Sequence, residues 1–428
     1  MKKKRIRGFS AFAALFLLSG MAAPSDAADN SFLDDAKAGA QLRSLYMQRD
    51  LPASTQESWG LGGWVWGRTG YWRDTVQLGA TVYATAPLYG PDGRGGLSVL
   101  QPDQGGFAAL GEAYARFKFG EMNTATLYRQ TIGSNPQKAE GVRGIQTDMN
   151  YLGTNDTRMA PYTYEALMFN GKATDTLWYQ AGYVDSIKDR AASNFVSMAR
   201  FAGANKDAGL WNGGLQWQPM KDLWFQGFYY YVADTLRITY LDADWVNRID
   251  KASYWRVATQ YTDQRSDGSN LLTGKYFKTW NGAVYGEYGW NWLTLYGAAG
   301  STGTGAAIRN PYSFGPFYIS QRIKTFSRAG EDALMAGSTF NLAPLGMNGF
   351  SFDFSIADGR HAIDANTLAA QPKWREYDYD FIYRFPKESA VPNMRVRLRY
   401  GTVREDYGTR IDRTDDLRLD LNWAVNFN

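Results

Sequence analysis

Residues 393–400 read NMRVRLRY, and the rest of the chain is best understood from this short segment. In an extended strand the side chains alternate between two faces, so the three arginines lie on one face and the apolar residues on the other: Arg395, Arg397 and Arg399 against Val396, Leu398 and Tyr400. Neighbouring like charges repel each other and must stay solvated. The water-filled lumen of a barrel would supply that solvation. The solvent-exposed strand of a soluble sandwich is the alternative.

The first 28 residues carry the signature of an export signal. They begin with a basic stretch, continue through an apolar run at 9–23, and end in the small-residue segment PSDAA. The apolar run is shorter than the roughly 20 residues that a membrane-spanning helix needs. The sequence therefore predicts a signal peptide at 1–28, cleaved after Ala27 or Ala28, and one exported domain at 29–428.

The composition combines many aromatic residues with a polar average. The chain has 15 Trp, 28 Tyr and 23 Phe among 428 residues, yet its mean hydropathy is -0.42. Aromatic girdles at two membrane interfaces and polar side chains in a lumen would explain both values. A soluble, aromatic-rich binding protein is the alternative.

Other features of the composition exclude whole classes of function. The chain has no Cys and a single His, His361, which argues against thiol catalysis, histidine catalysis, a metal site or a cofactor. A net charge of +4 without basic runs argues against nucleic-acid binding. The sequence therefore predicts no enzyme. A barrel enzyme that uses His361 beside Asp358 and Asp364 is the rival interpretation.

Alternation recurs along the chain and predicts an all-β, antiparallel transmembrane barrel. Basic residues repeat on its polar face: Lys37, Arg43 and Arg49 in the first strand, Arg116 and Lys118 at 113–119, and Arg418 at 417–427. Further strands are predicted at 59–84, 177–184, 214–217, 224–231, 254–263, 282–288, 292–299 and 335–358. About 400 residues correspond to 16 to 20 strands, and an even, closed number leaves no edge.

Three long segments lack alternation. Residues 87–106 are rich in Gly, Pro and Asp, and we predict a surface loop there. Residues 123–161 form a long polar segment that either folds into the barrel and narrows it or remains an external loop. Residues 310–329 are irregular and include Arg322, Lys324 and Arg328.

The order and spacing of several segments resemble the OprD-type substrate-specific outer-membrane porins. These segments are FLDDAKAGAQLRSLYMQRD (32–50), FKFGEMNT (117–124), TRMAPYTYEAL (157–167), AGEDALMAGSTFNLAPLGMNGFSFDFSIADG (329–359), RVRLRYGTVRED (395–406) and DDLRLDLNWAV (415–425). The resemblance implies an eighteen-stranded barrel with long extracellular loops. It also implies inward loops that form a constriction, and a ladder of arginines that draws carboxylates through the pore.

Carried over position by position, the resemblance places the ladder at Arg49, Arg397, Arg399 and Arg418, and a constriction arginine at Arg158. By the same alternation, four further basic residues lie on the lumen-facing side of their strands and could join the ladder: Arg43, Arg116, Lys118 and Arg395. Each could instead form an internal salt bridge, for instance with Asp420 or Glu405. The chain departs from the family at Thr325, where members that favour cations carry an acid, and at its Phe427-Asn428 end.

The resulting prediction is an outer-membrane channel for passive diffusion of small carboxylate-bearing solutes such as amino acids and organic or aromatic acids. The alternatives are a sugar or chito-oligosaccharide channel of the same fold and a general diffusion porin. Expected partners are the small solutes, outer-membrane lipid and lipopolysaccharide, with no nucleic acid, and the expected state is a monomer or weak trimer.

Overall fold

A computed structural model of the protein describes residues 31–132, 151–312 and 315–427. Within these residues the chain forms one closed antiparallel barrel of eighteen strands, and a short additional strand lies in one connection. The predicted fold class and strand number are therefore confirmed. The predicted signal peptide at 1–28 lies outside the described residues.

The strands are β1 (Lys37–Leu51), β2 (Ser54–Arg68), β3 (Val76–Tyr89), β4 (Phe107–Lys118), β5 (Thr124–Gln130), β6 (Thr163–Thr174), β7 (Leu177–Lys188), the short β8 (Phe195–Ser197), β9 (Leu210–Met220), β10 (Leu223–Val232), β11 (Leu236–Arg248), β12 (Ser253–Ser266), β13 (Lys278–Trp290), β14 (Leu293–Thr302), β15 (Asp332–Asn341), β16 (Phe350–Arg360), β17 (Lys373–Arg384), β18 (Met394–Asp406) and β19 (Ile411–Phe427). Two short helices, α1 (Ser31–Asp34) and α2 (Met198–Ala202), and a 3-10 turn (Ala343–Leu345) complete the set. None of the described helices is long and apolar enough to cross a membrane.

The barrel closes between its first and last strands. Strand β1 pairs with β2 on one side and with β19 on the other, so that Arg49 lies opposite both Gln56 and Asp416. Strand β7 pairs with β9 and bypasses β8. Closure satisfies the backbone groups that an open sheet would leave unpaired at its edges.

In the barrel wall, apolar side chains face outward and polar side chains face inward, which is the reverse of a soluble protein. Outward side chains are large and apolar and remain exposed, as at Leu398, which is 43% exposed. Inward side chains are polar and buried, as at Arg418, which is 6% exposed. An exterior of this kind is stable when it faces hydrocarbon, and the polar interior then lines a lumen.

The connections differ in length at the two ends of the barrel. At the end that carries the termini the turns are short, for example 175–176 and 221–222. At the other end are the long segments 90–106, 131–162, 189–209, 303–331 and 361–372. In outer-membrane barrels the short turns face the periplasm and the long loops face outside.

The strand predictions missed β5, β6, β11 and β17. In β17 the outward face carries Arg375 and Tyr377, and the inward face carries Trp374 and Glu376. Both faces of this strand therefore mix charged and aromatic residues. The alternation is clear only in the middle of the strand, where the carboxylates of residues 376, 378 and 380 face inward and the aromatic rings of residues 377, 379 and 381 face outward.

Several of the long segments fold into the lumen and pack against the wall there. The segment 90–106, which we predicted to be a surface loop, buries Leu97, Val99 and Leu100 against Leu45 and Met159, so that prediction was wrong. The described part of 131–162 also packs inward, with Tyr151 and Leu152 fully buried. In 303–331, Ile319 and Phe326 pack on the wall, with Ala298, Ala333 and Ala357. Apolar contacts that a soluble protein makes in its core here fasten loops inside a barrel.

Candidate pore constriction

Strands β17, β18, β19 and β1 form a continuous wall whose inward residues fall into four successive cross-strand rows. From the long-loop end, the rows are Asp378, Gly401, Asp416 and Arg49; Asp380, Arg399, Arg418 and Met47; Ile382, Arg397, Asp420 and Leu45; and Arg384, Arg395, Asn422 and Arg43. Every row contains arginine, and arginines outnumber aspartates. We call this surface the arginine wall.

The upper part of the arginine wall shares each carboxylate between guanidinium groups. Arg399 and Arg418 lie directly opposite each other, an unfavourable arrangement for like charges. Asp380 accepts from Arg397 and, at 3.2 Å, from Nε of Arg399. Because one aspartate faces two arginines, this part of the wall keeps a net positive charge.

A second shared carboxylate lies one row higher. Asp416 is completely buried between Arg418 and Arg49, and the distance from Nη2 of Arg49 to Oδ2 of Asp416 is 2.8 Å. The side chain of Arg49 is still 22% exposed, so its charge also reaches the lumen. Internal salt bridges, the alternative role for these arginines, do form. Because the arginines outnumber the aspartates, the wall still carries a net positive charge.

Arg43 has a structural role. Its guanidinium binds Asp156 at 2.6 Å, Asn422 and the carbonyl oxygen of Arg158, and it lies 4.8 Å from the ring centre of Trp64. It is 6% exposed. The side chain therefore ties the segment 151–162 to strand β1 and offers little surface to a solute.

Arg158 lies on that tied segment and differs from the arginines of the wall. Its Nε donates to the carbonyl oxygen of Leu97 at 2.7 Å, and Nη1 donates to the carbonyl oxygen of Thr157 at 2.9 Å. Within the described part of the chain no carboxylate lies within ion-pair distance of it. Burial lowers the pKa of Arg158 well below its ordinary value, and the charges of Arg418 and Arg190 lower it further.

A guanidinium group keeps its proton at neutral pH even at such a site. The lowered pKa therefore means that the cation at Arg158 is destabilised by its surroundings. An anion that enters the constriction would relieve that cost, since opposite charges attract strongly where water is excluded.

Arg322 belongs with these residues, although it was not among the predicted pore residues. Its side chain is 2% exposed and lies 3.7 Å from Asp378 and 3.9 Å from Asp380. It lies on the inward segment 303–331, and its carbonyl oxygen accepts from Arg418. Strand parity predicts the direction of strand residues only, so the sequence contained no signal that could place a loop arginine here.

Two buried carboxylates of β17 hold this loop in place. Glu376 accepts from the backbone N–H groups of Ile323 and Lys324, at 2.6 and 2.8 Å, and Asp378 accepts from the N–H of Arg322 at 2.9 Å. Lys324 itself pairs with Glu405 at 2.7 Å. The tip of 303–331 is thus fastened to the arginine wall by three consecutive backbone donors.

The remaining predicted residues lie away from the constriction. Arg395 is in the lowest row of the wall, 3.5 Å from Asp420. Arg116 faces inward on β4, where it contacts Thr126. Lys118 pairs with Asp74 in the turn between β2 and β3, at the end that carries the termini. The structure therefore brings Arg49, Arg158, Arg397, Arg399 and Arg418 together and places Arg116 and Lys118 elsewhere.

Two inward carboxylates outside the arginine wall are bound by tyrosines. Asp242 of β11 accepts from Tyr318 at 2.8 Å and from Tyr240 at 3.3 Å. Tyr296 donates to Asp353 of β16 at 3.1 Å, and Asp353 lies directly opposite Asp380 of the arginine wall. Tyrosine hydroxyls therefore hold acidic groups both beside the arginine wall and farther around the lumen.

His361 does not form a catalytic arrangement in the described residues. It is 72% exposed, and its Nδ1 lies 2.8 Å from Asp332. Ser301 donates to the same aspartate at 2.7 Å. In a catalytic triad the histidine stands between the acid and the serine, but here the aspartate does.

Comparison with known proteins agrees with this geometry. The sequence matches the family described as outer membrane porin, OprD family, over residues 30–427. No curated protein sequence matches the chain significantly.

Solved structures of similar fold come from Pseudomonas aeruginosa. OpdK with vanillate has 17% identity and a TM-score of 0.78, with coverage of 92% of this chain and 100% of that chain. OccK9 (OpdG) has 18% identity and a TM-score of 0.80, with coverage of 93% and 100%. OccK2 (OpdF) has 17% identity and a TM-score of 0.77, with coverage of 93% and 100%. These likenesses extend over the whole barrel, and together with the family match they lead to one conclusion: the chain belongs to the OprD family of outer-membrane porins.

Proposed function

We propose that the protein lets small carboxylate-bearing solutes diffuse passively through the outer membrane along the arginine wall. The observation that carries the proposal is the arrangement of arginines in every one of four successive rows, in excess over aspartates. A guanidinium group binds a carboxylate through two parallel hydrogen bonds and so replaces part of its hydration shell. Successive sites of moderate strength let the solute pass from one to the next, whereas one deep site would retain it.

Arg158 would act as the selective group among these cations. It is the residue of this set without a carboxylate partner in the described residues, and it lies close to Arg418 and Arg49. A solute carboxylate there would meet cations from the loop and from the wall. The neighbour OpdK was solved with vanillate, an aromatic carboxylate, and vanillate is therefore the first solute to test.

Three exposed tryptophans lie on the outer surface and do not contribute to a saccharide platform in the lumen. Trp211, Trp245 and Trp290 are each about half exposed on the outer surface, where aromatic girdles meet the membrane interfaces. Large aromatic surface used in this way does not form a sugar platform inside the lumen.

The test is single-channel recording in a planar bilayer, with reversal potentials in a salt gradient. We expect anion selectivity and brief interruptions by vanillate, and we expect Arg158→Gln and Arg399→Gln each to weaken vanillate block by about tenfold, because a charge-assisted bidentate contact is lost. Arg265→Gln is the matched control, because Arg265 is exposed and paired with Asp263 away from the arginine wall.

Three results would contradict the proposal. Block by neutral oligosaccharides would favour the saccharide channel. Equal passage of cations, anions and sugars would favour general diffusion. Equal vanillate block in Arg158→Gln, Arg399→Gln and the parent protein would remove these arginines from the mechanism.

A further inference from the structure

The outer surface carries a row of arginines that the channel mechanism does not use. Near the long-loop end, Arg375 of β17 lies directly opposite Arg404 of β18, and Arg404 lies directly opposite Arg413 of β19. All three are exposed and point outward, on the same face as Leu398 and Leu417. We call these three residues the outer basic row.

The centre of the outer basic row lacks a counter-charge. Arg375 donates from Nη2 to Asp358 at 2.6 Å, and Arg413 donates from Nε to Asp415 at 3.0 Å. The described part of the chain gives Arg404, between them, neither a hydrogen bond nor an ion pair. Side chains directly opposite each other in an antiparallel pair are about 5 Å apart, and like charges at that spacing are destabilising. An external anion would stabilise the row.

The position of the outer basic row along the barrel axis indicates which kind of anion could bind it. Below Arg404 the outward positions of the three strands are Tyr377, Thr402 and Asp415, then Tyr379, Tyr400 and Leu417, then Phe381, Leu398 and Leu419. Tyr400 is four residues below Arg404, which corresponds to about 13 Å along the strand. Tyrosines mark the membrane interface, so the arginines lie at the level of lipid headgroups, separated from the apolar wall by the row of Tyr377, Thr402 and Asp415.

We propose that the outer basic row binds the phosphate of a phosphorylated, multiply acylated glycolipid of the outer leaflet, the lipid A portion of lipopolysaccharide. Arginine recognises phosphate through the same paired donors that it presents to carboxylate. The acyl chains of the lipid would lie on the apolar wall that includes Leu398 and Leu417. Free inorganic phosphate could occupy the arginines but could not use this wall. The site is independent of which solute the lumen conducts.

A site-specific probe tests the proposal. Because the chain has no cysteine, Ile411→Cys gives a single labelling site. Ile411 is 62% exposed and lies one outward position above Arg413. The labelled mature protein in detergent micelles is titrated with lipid A, with dephosphorylated lipid A and with inorganic phosphate. We expect a saturable fluorescence change with lipid A, and little change with either of the other two.

Two variants decide the outcome. The triple variant Arg375→Gln, Arg404→Gln, Arg413→Gln should bind lipid A at least about tenfold more weakly. The control is Arg397→Gln, which removes one arginine charge from β18 on the lumen face and should bind lipid A like the parent. Folding of each variant is checked by heat-dependent migration in gel electrophoresis.

The proposal would be overturned by unchanged lipid A affinity in the triple variant, by equal binding of the dephosphorylated lipid, or by a response to inorganic phosphate alone. Single-channel recording separates it from the proposed transport function, since Arg397→Gln should change anion selectivity without changing lipid binding, and the triple variant should do the reverse.

Discussion

At the scale of single residues, the role of an arginine in this lumen depends on its immediate partners. Arg43 is buried and bound to Asp156, Arg399 shares Asp380 with Arg397, and Arg158 has no carboxylate among the described residues. The same side chain is thus a structural tie, a partly neutralised site and a cation without a carboxylate partner among the described residues. Strand parity does not distinguish the first two roles, and it does not apply to Arg158, which lies in a loop.

Replacing Arg43 should open the constriction. Arg43→Gln removes the charged contacts to Asp156 and to the carbonyl oxygen of Arg158, each worth about 1.5 to 3 kcal/mol. We expect a larger and noisier single-channel conductance, because the segment 151–162 is released from β1. Arg395→Gln is the control, since Arg395 is in the same row and has no contact with that segment. Equal noise in the two variants would contradict the structural role of Arg43.

At the scale of elements, the barrel depends on close backbone pairing and on loops that are tied together. The wall between β1 and β2 contains Gly63, at a φ of 138°, where an added Cβ would lie 1.7 Å from the carbonyl oxygen of Gln41. Ion pairs between loops add order at the extracellular end, as between Lys206 and Asp234. Substitutions at Gly63 and at Asp234 test the backbone pairing and the loop contact separately.

Gly63→Ala should impair folding. The backbone conformation at this position is one that only glycine adopts readily, and the methyl group would collide with β1, so we expect a loss of about 2 kcal/mol or more in the free energy of unfolding. Urea unfolding in lipid vesicles measures it. Gly286→Ala is the matched control, because its Cβ would meet nothing within 4 Å. A loss in Gly286→Ala as large as that in Gly63→Ala would show that the collision is not the cause.

The loop contacts at Asp234 should be lost only in acid. The hydrogen bond from Lys206, followed by those from Ser269, lowers the pKa of Asp234 below its ordinary value of 3.8. A carboxyl group with a lowered folded-state pKa contributes stability that is present above its ordinary pKa and is lost as the pH falls through the lowered one. Hydrogen exchange of 267–272 should therefore be slow at pH 7 and pH 5, and faster only below about 3.8 after correction for intrinsic rates. Asp234→Asn should show fast exchange already at pH 7; slow exchange there would contradict the assignment.

At the scale of the whole molecule, the two faces of the barrel wall contact two different solvents, lipid outside and water inside. Strand β18 has 13 residues, or about 44 Å of extended chain, which exceeds the roughly 25 Å apolar band of outer-membrane barrels even when the strand is tilted. Apolar residues therefore face lipid in the middle of the strand, and charged residues begin at its end. This organisation predicts that the cost of a misplaced charge depends on depth.

A charge on the lipid face should cost more near the centre than near the rim. Leu398→Arg places a cation on the apolar wall of β18 and should cost about 2 to 4 kcal/mol of folding free energy in a bilayer, whereas Thr402→Arg, closer to the outer basic row, should cost about 0 to 1 kcal/mol. Reversible unfolding in vesicles gives both values. Equal costs would contradict the assigned depth of the two positions.

The amino-acid sequence by itself determined the barrel, because period-two alternation is a local property of each strand. Residues 393–400 were enough to assign Arg397 and Arg399 to one face and Leu398 to the other, and the aromatic content favoured a membrane. Alternation was missed where the ends of a strand mix residue types on both faces, as in β17, and it is absent from connections, which have no period.

Only the tertiary structure decided which arginines lie close together in the lumen. Strand register places Arg49, Arg399 and Arg418 in neighbouring rows although they are distant in sequence. The buried contacts of inward loops bring Arg158 and Arg322 to the same wall. These contacts depend on backbone donors, shared carboxylates and the closure of the barrel between β1 and β19. No local pattern encodes them, because register, loop packing and, for Arg49, the closure between β1 and β19 bring these side chains together.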